Sequence, residues 1–564
     1  MKKFILKNKI RFIVLLTAIL SIGTFAFVDE YFEVAKNLDI FSSLYREVNI
    51  YYVDSVDPGK LMKKGIDEML STLDPYTNYI PESDIDDYRF MTTGQYGGIG
   101  AVVRQKGEYV AISEPYEGFP ADKAGLRAGD VILEIDGRST KSKRTDEISK
   151  MLKGSPKTEV KLLIKREGEE KTFERLLTRE EIKIKSIPYY GMLNNSIAYI
   201  KLNSFTENCS KDVADALKDL KSKNSLKGLV FDLRGNPGGL LNEAVNISNI
   251  FVPKGQEVVS TRGKLKDLNR TYKAINEAID PALPLVLLVN SGSASASEIV
   301  SGSLQDLDRA VIIGQRTFGK GLVQTTRPLS YNAQLKITTA KYYIPSGRCI
   351  QALDYTHRNE DGSVGKVPDS LMNEFKTKVG RSVFDGGGIK PDMVTVSKKL
   401  NPITVSLMNK SIVFDYASRY RTLHPTINTE DFNLSEADWN DFVAFIGDKE
   451  YDYVTKSEKS LDEFKKNAED ELYFTELKID IENLKLKLKH DKQTDIQKNR
   501  ADITSLLEDE IVSRYGYLKG RIKESLTHDL DVKKAIEVLN DQPTYTSVLK
   551  GTFNASVGSA SEGK

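Results

Sequence analysis

A run of small residues with several serines, Asn290 to Glu298, lies between an apolar segment and a helical one. A turn of this kind after a buried strand can expose a serine hydroxyl beside the free N–H groups that begin a helix. Such N–H groups stabilise the oxyanion that develops when a serine attacks a carbonyl carbon. The same composition is ordinary at a helix N-cap, so Ser293 or Ser297 could simply cap the helix. The run by itself leaves both interpretations open.

A lysine on a glycine turn, Lys320, follows in the segment from Gly314 to Gly321. The segment nearly matches the phosphate-binding loop G-x-x-x-x-G-K-[ST]. Gly321 stands where that loop needs a hydroxyl for Mg²⁺, and the pattern that follows is typical of a strand, so nucleotide hydrolysis is disfavoured. A buried lysine can instead be neutral and act as the general base for a serine. A lysine on an exposed turn would have neither role.

Histidine is scarce in the part of the chain that carries these two motifs. The four histidines are His357, His424, His490 and His528. A catalytic centre in the first 350 residues must therefore work without histidine. A serine paired with a lysine is a recognised variant of the Ser–His–Asp arrangement, and it needs only the residues present.

The composition excludes several classes of protein. The chain has 564 residues, with 81 Lys and Arg against 80 Asp and Glu, so it offers no excess of positive charge for nucleic acid. Two cysteines exclude a disulfide-dense scaffold and the cysteine-rich zinc patterns. The sequence leaves open whether Cys209 and Cys349 form a disulfide, and their spacing gives no geometric support for one.

The first residues have the pattern of an export signal. Five Lys or Arg residues within residues 1–11 precede an apolar run over residues 12–28. The positive flank keeps that end in the cytoplasm, and the run is intermediate in length between a signal-peptide core and a full membrane span. We expect residues 1–28 to be a signal peptide or a membrane anchor. The rest of the chain would then lie in the periplasm or on the outer face of the cytoplasmic membrane, with membrane contact only through this segment.

Changes in composition and in the spacing of apolar residues along the chain predict a multidomain α/β protein. Residues 29–90 have helical spacing of apolar residues. Residues 91–180 change to short strands and glycine turns, and residues 181–400 alternate buried strands with helices, which is typical of βαβ units. Residues 401–564 are rich in Lys and Glu with long helical periodicity, which predicts a helical C-terminal domain whose role the pattern does not indicate.

The segment 91–180 resembles a PDZ domain. The resemblance rests on Gly98-Ile99-Gly100-Ala101 leading into a strand, and on Ala124-Gly125-Leu126 followed by Ala128-Gly129-Asp130-Val131-Ile132. Consecutive glycines can turn backbone N–H groups toward one point, which suits a terminal carboxylate, and the adjacent strand edge can add a peptide strand. The same glycines could merely permit a tight turn.

Five motifs in order resemble the C-terminal processing, or tail-specific, serine protease family over about residues 40–400. In chain order they are DLRGNPGGLLNEA, SGSASASEIVSGSLQD, GQRTFGKGLVQ, YYIPSGRCIQ and GGGIKPDMVTV. The resemblance implies an α/β catalytic core with an inserted PDZ-like domain.

The resemblance also implies a role for individual residues. Ser295 matches the nucleophile, Lys320 the base, and Gln324 the residue that orients the lysine amine. The oxyanion donors correspond to the backbone N–H of Ala296 and to a glycine of the DLRGNPGG motif. The motif does not choose between Gly238 and Gly239.

The expected function is that of an exported serine endopeptidase. Its PDZ-like domain would capture the exposed C-terminal tail of a protein substrate, with Gly98, Ile99, Gly100 and Ala101 as the binding loop, and the Ser–Lys dyad would cleave the chain through an acyl-enzyme. No metal, cofactor or nucleic acid is implied. Residues 401–564 could bind an adaptor or mediate self-association. A PDZ adaptor on an inactive α/β scaffold is the alternative function.

Overall fold

The structure is a computed structural model, and it describes residues 31–358, 363–396, 399–447, 449–488 and 492–553. The predicted signal or anchor over residues 1–28 lies outside the described residues. Within these ranges no helix is both long enough and apolar enough to cross a bilayer.

The chain divides into two units, residues 1–79 and 80–564. The described part of the first unit is mainly helical, as predicted, with a helix over residues 31–51 (α1) and a second helix, α2 (Pro58–Ser71). The Asp57 side chain accepts a hydrogen bond from the Lys60 N–H (3.1 Å), and Pro58 occupies the first turn of α2, where its missing N–H is harmless. A short strand, β1 (Asn78–Ile80), follows.

The second unit begins with a short helix and a pair of strands that frame the PDZ-like domain. Helix α3 (Ile85–Thr93) ends at Gly94, and β2 (Gln95–Gly98) pairs antiparallel with β9 (Glu180–Lys183). Between them lies a sheet in the order β3-β4-β5-β7-β8, with β6 paired to β5. Its elements are β3 (Ala101–Lys106), β4 (Tyr109–Pro115), α4 (Pro120–Lys123), β5 (Val131–Ile135), β6 (Arg138–Ser139), α5 (Thr145–Leu152), β7 (Glu159–Lys165) and β8 (Phe173–Thr178).

A parallel sheet with helices on both faces forms the α/β core. The strand order is β10-β11-β12-β15-β16-β23, and every pair is parallel except β10 with β11. The core elements are β10 (Tyr189–Met192), β11 (Ile197–Lys201), α6 (Cys209–Lys223), β12 (Gly228–Asp232), α7 (Leu241–Phe251), β15 (Leu285–Val289), α8 (Ala296–Asp306), β16 (Val311–Gly314) and β23 (Met393–Val394).

Antiparallel ribbons flank this core. Strand β18 pairs with both β13 and β17, and β13 also pairs with β14; β19 pairs with β20, and β21 with β22. These strands are β13 (Glu257–Gly263), β14 (Arg270–Lys273), β17 (Leu322–Pro328), β18 (Gln334–Tyr343), β19 (Leu353–Arg358), β20 (Val364–Lys366), β21 (Glu374–Lys376) and β22 (Ser382–Phe384).

The C-terminal region is helical, as predicted. Its helices are α9 (Pro402–Asn409), α10 (Ile412–Leu423), α11 (Glu436–Ile446), α12 (Lys456–Asp470), α13 (Phe474–Leu488), α14 (Lys492–Lys498), α15 (Arg500–Ser525), α16 (Leu530–Asn540) and α17 (Gln542–Leu549). The first helices share a core of their own, centred on Trp439 and Phe442 with Ile503 and Leu507 of α15.

The last two helices belong to a different core, because they cover one face of the parallel sheet. Alternate strand residues such as Phe231 and Leu287 face α6, α7 and α8 on one side. Their neighbours Val230 and Val286 face the buried residues of α16 and α17 on the other side. Burial on both faces explains why the core strands are continuously apolar in sequence.

The kinked helix α15 also contacts the PDZ-like domain. Its backbone leaves the helical conformation at Tyr517 (φ 52°), whose hydroxyl donates to Asp122 (2.7 Å). Four residues later the Arg521 guanidinium pairs with Glu114 (3.4 Å) at the end of β4. The C-terminal helices therefore contact both the PDZ-like domain and the catalytic sheet.

The packing of α16 predicts that its buried face contributes to the stability of the core. Leu539 is 2% exposed and contacts Gly228 at the start of β12, whereas Leu530 of the same helix is 62% exposed. Leu539→Ala should destabilise the core by about 2–5 kcal/mol, because it leaves a cavity under the sheet. Leu530→Ala should change the unfolding free energy by less than about 0.5 kcal/mol. Denaturant unfolding monitored by circular dichroism measures both, and equal effects would contradict this packing.

Candidate active site

The serine run, residues 290–298, leads from β15 through a turn into α8. Its serines differ in burial and in hydrogen bonding. Ser293 and Ser297 are fully buried, and their hydroxyls donate to the carbonyl oxygens of Leu233 (2.8 Å) and Asn236 (2.9 Å). These two serines therefore bind the turn to the end of β12. Ser295 is half-buried, lines a cavity, and occupies the N-cap of α8 with φ 54°. Positive φ is rare for serine, and such conformations persist where the surrounding structure holds them.

The glycine loop after β12 lies directly against the serine turn. A Cβ built on Gly238 (φ 99°) would come within 2.7 Å of the Ala294 carbonyl oxygen and 2.9 Å of the Ala296 nitrogen. A Cβ on Gly239 (φ 148°) would come within 2.3 Å of the Phe205 carbonyl oxygen. Both positions therefore require glycine, because any side chain would push the loop off the turn.

The hydrogen bonds of the loop distinguish its two glycines. The Gly238 N–H donates to Asn236 Oδ1 (2.9 Å), so it is already committed. The Gly239 N–H is not used by any hydrogen bond among the described residues, and Gly239 is exposed to the cavity that Ser295 lines. Ala296 is the first residue of α8, so its N–H has no acceptor within the helix. Two free backbone donors therefore belong to this cavity.

A buried carboxylate that the sequence interpretation missed joins the serine turn to the lysine turn. Glu298 Oε2 accepts hydrogen bonds from the backbone N–H groups of Ser295 (2.8 Å) and Lys320 (2.9 Å). Its other oxygen, Oε1, accepts from the Gly319 N–H (2.7 Å) and the Thr317 hydroxyl (2.5 Å). The S-x-x-E spacing of Ser295 and Glu298 is a capping-box signature that could have indicated this residue.

Burial raises the pKa of Glu298 to about 7, although the hydrogen bonds from Thr317, Lys320, Gly319 and Ser295 favour its charged form. A carboxylate that takes four donors has all of its acceptor positions occupied. Burial nevertheless outweighs these four donors in setting the pKa of Glu298.

Lys320 lies on the turn between β16 and β17 and lines the same cavity as Ser295, whose volume is about 530 Å³. Gln324 lines it too, and its side-chain amide donates to the Thr338 hydroxyl (3.2 Å) on β18. No helix follows Lys320, so the phosphate-binding interpretation of this loop is wrong.

The cavity is lined by both polar and apolar residues. Its lining includes no histidine, aspartate or glutamate, and its apolar part includes Met91, Leu241, Ile299 and Leu322. The described residues contain no group of three or more His, Cys, Asp or Glu side chains able to hold a metal ion. Cys209 and Cys349 are both free thiols.

Comparison with known proteins identifies the family of the chain. The profile of "Peptidase family S41" matches residues 196–356, which contain both the serine turn and the lysine turn. The "Carboxy-terminal-processing protease" of Bartonella bacilliformis is 41% identical over 325 residues, covering 57% of this chain and 74% of that protein. The chain belongs to peptidase family S41.

Further similarities extend over the rest of this S41 peptidase. A "PDZ domain" profile matches residues 112–166, and a profile described as "Probable PDZ-protease, C-terminal helical domain" matches residues 403–539. A "Probable CtpA-like serine protease" of Staphylococcus aureus (strain COL) is 34% identical, covering 72% of this chain and 80% of that protein. The solved "Photosystem II D1 C-terminal processing protease" is 28% identical, covering 64% of this chain and 93% of its own, with a TM-score of 0.36.

These matches confirm the predicted fold class and a serine-type peptidase with a PDZ domain. The roles of individual residues and the domain limits at residues 28, 90, 180 and 400 stay predictions.

The predicted tail-binding loop joins β2 to β3 in the PDZ domain of the S41 peptidase. Gly98 ends β2, Ile99 is 2% exposed, and Gly100 has φ 72° before Ala101 begins β3. Strand β3 pairs only with β4 among the described strands, so its other edge has no strand partner there, and α5 contacts it. An open strand edge next to a helix is the geometry that a peptide can extend by β-augmentation.

The pKa of Glu298 predicts a pH-dependent stability in this peptidase. The folded protein binds the proton of the Glu298 carboxyl more tightly than the unfolded chain, in which the pKa of this group has its ordinary value of 4.5. The free energy of unfolding should therefore fall as pH rises from 4.5 to about 7. The loss attributable to Glu298 should reach about 3 kcal/mol, and Glu298→Gln should lack it. Urea unfolding of both proteins between pH 5 and 7.5 measures the difference, and parallel stability curves would contradict the prediction.

Proposed function

We propose that the S41 peptidase is an exported, carboxy-terminal-processing endopeptidase that uses a Ser295–Lys320 dyad. The single observation that carries the proposal is the carboxylate oxygen Glu298 Oε2, which accepts the backbone N–H of both residues. Two turns held by one atom bring their side chains to the same cavity. The cavity has no histidine, so lysine is the base available there.

The chemistry follows the usual course of acyl transfer. Neutral Lys320 takes the proton of the Ser295 hydroxyl as its oxygen attacks the substrate carbonyl carbon, and the N–H groups of Ala296 and Gly239 stabilise the oxyanion. The lysine then protonates the leaving amine, which departs with the C-terminal fragment. Water, deprotonated by the same amine, hydrolyses the acyl-enzyme. Gly238 shapes the loop, and Gln324 would orient the lysine from the adjacent strand.

Substrate capture is assigned to the PDZ domain. The carboxylate of an exposed C-terminal tail would bind at Gly98–Ala101, and the tail would add a strand to β3. The relatives named carboxy-terminal-processing protease support this substrate class. Protein substrates with accessible tails are therefore the proposed partners, and residues 401–564 remain a proposed site for an adaptor or for self-association.

The location is proposed from the N-terminal sequence alone. Five basic residues followed by the apolar run over residues 12–28 favour export, with the catalytic unit in the periplasm or on the outer face of the cytoplasmic membrane.

The dyad predicts a sharp mutational pattern. Ser295→Ala and Lys320→Ala should each reduce cleavage of a tailed protein at least about 1,000-fold, and Lys320→Arg should not restore it, because a guanidinium does not deprotonate. Lys341→Ala, at an exposed position on β18, is the matched control and should retain activity. A fluorophosphonate reagent should label the wild type and not Ser295→Ala. Tail binding without labelling of the wild type would favour the alternative, a PDZ adaptor on an inactive scaffold.

The binding loop predicts a separate effect on tail recognition. A Cβ on Gly100 would come within 2.5 Å of the Phe119 Cβ, so Gly100→Ala should distort the loop and weaken binding of a tail peptide at least about 10-fold. Gly107→Ala, at the same kind of positive φ with nothing within 4 Å, is the control. Fluorescence anisotropy of peptides with a free or an amidated C-terminus measures the effect. The proposal fails if both peptides bind equally well to the wild type.

A further inference from the structure

The C-terminal helix α16 reaches the catalytic loop through one arginine. Arg234 follows β12 and directly precedes the loop Gly235–Gly239. Its guanidinium pairs with Asp529 (2.7 Å) and with Asp531 (2.9 Å) at the start of α16. A third carboxylate, Asp232 at the end of β12, lies 2.8 Å from the same group. One side chain thus connects a segment near the end of the chain to the loop that lies against Ser295.

The side chains of these ion pairs between Arg234 and the start of α16 are largely buried. The Arg234 side chain is 17% exposed, and those of Asp529 and Asp531 are 18% and 14% exposed. Asp529 is the N-cap of α16, and its Oδ1 also accepts the backbone N–H of Asp531 (2.9 Å) and of Val532 (3.1 Å). The helix start therefore holds the carboxylates where the arginine meets them. Ion pairs of this burial are costly to break, because the remaining partner is left uncompensated.

The charges around Arg234 come from several elements. Asp232 is fully buried and also accepts the Tyr199 hydroxyl (2.7 Å), with the Lys201 amine at 3.5 Å, both from β11. Burial alone would raise the pKa of Asp232, but Arg234 and Lys201 outweigh it and hold that pKa below its ordinary value. The three carboxylates and two cations form one network at the carboxyl end of the sheet.

The first residue of the loop beyond Arg234 is Gly235, whose N–H donates to Asn290 Oδ1 (2.9 Å). Two residues later, Pro237 has no backbone N–H to donate. Further along, Gly238 lies against the Ala296 nitrogen and Gly239 presents its free N–H to the cavity. Between Arg234 and these two glycines, Asn236 is joined to the serine turn by its carbonyl oxygen, which accepts the Ala294 N–H (3.0 Å), and its Oδ1 accepts the Gly238 N–H (2.9 Å). A shift at Arg234 would therefore act on the two glycines through Asn236. Displacement of an oxyanion donor by about 1 Å costs roughly 100-fold in rate.

We propose that Arg234 is a positioning residue for the oxyanion-binding loop, and that Asp529 and Asp531 of the C-terminal region hold it in place. This inference rests on the proposed function, because it concerns a loop whose N–H would bind the oxyanion. It gives the last helices a catalytic purpose: the active site is complete only when α16 is docked on the sheet.

The test uses the full-length peptidase with the double variant Asp529→Asn/Asp531→Asn, which removes both charges at nearly constant volume. The matched control is Asp541→Asn, the exposed N-cap of α17, whose carboxylate bonds to Thr544 and not to Arg234. The substrate is a short peptide without a tail, so the PDZ domain does not enter the measurement. The readouts are kcat and KM, the amplitude of active-site titration, and the affinity for a peptide boronate, whose tetrahedral adduct occupies the oxyanion position.

The expected result is a fall of about 10- to 100-fold in kcat with little change in KM, and a parallel loss of boronate affinity. The titration amplitude should stay at the wild-type level, since the serine and lysine are untouched, and Asp529→Glu/Asp531→Glu should recover part of kcat. Asp541→Asn should behave as the wild type.

Two outcomes would overturn the inference. One is an unchanged kcat in the double Asn variant. The other is a fall in kcat that only matches a lost titration amplitude, which would mean partial unfolding rather than misplacement of the donors. Failure of the proposed function is distinguishable, because the wild type itself would then neither cleave the peptide nor react with the titrant.

Discussion

The buried carboxylate of Glu298 is the interaction on which the proposed catalytic arrangement depends. Ser295 and Lys320 lie on separate turns, one after β15 and one after β16, and neither turn is regular structure that could hold itself in place. One carboxylate oxygen accepts the backbone N–H of both residues, and the second oxygen ties down the glycine before the lysine. Backbone groups cannot change rotamer, so this bond pattern sets the relative position of the two residues more firmly than a contact between their flexible side chains.

Hydrogen bonds outside the proposed dyad join further parts of the site. The serine turn and the glycine loop are joined because the Asn236 carbonyl accepts both the Ala294 N–H (3.0 Å) and the Ser297 hydroxyl (2.9 Å). Parallel strands present their carboxyl ends on one edge of a sheet, so the loops after β12, β15 and β16 meet there. The sheet in turn needs cover on both faces, and the second face is supplied by α16 and α17 from near the end of the chain. The catalytic core is therefore assembled from distant parts of the sequence.

The sequence was sufficient for the elements and for the main participants of the site. Residues 181–400 are predicted to alternate buried strands with helices, and β12 and β15 with α6, α7 and α8 form that pattern. The turn carrying Ser295 and the glycine turn carrying Lys320 were predicted as one centre, and they line one cavity. For Glu298, the capping-box spacing indicates only its bond to the Ser295 N–H. The sequence does not indicate its other three donors, because they lie on the separate turn that carries Lys320.

By itself, then, the sequence determined the fold class, the absence of histidine from the first 350 residues, and the residues able to act as nucleophile and base. These are properties of local pattern and residue type, which act before the chain is packed. Only the tertiary structure decided which N–H groups remain free, since Asn236 takes the Gly238 donor and leaves that of Gly239. Only it, too, joined Arg234 to Asp529 and Asp531. Hydrogen bonds and ion pairs between residues far apart in the chain depend on how the sheet stacks its loops, and no local pattern carries that information.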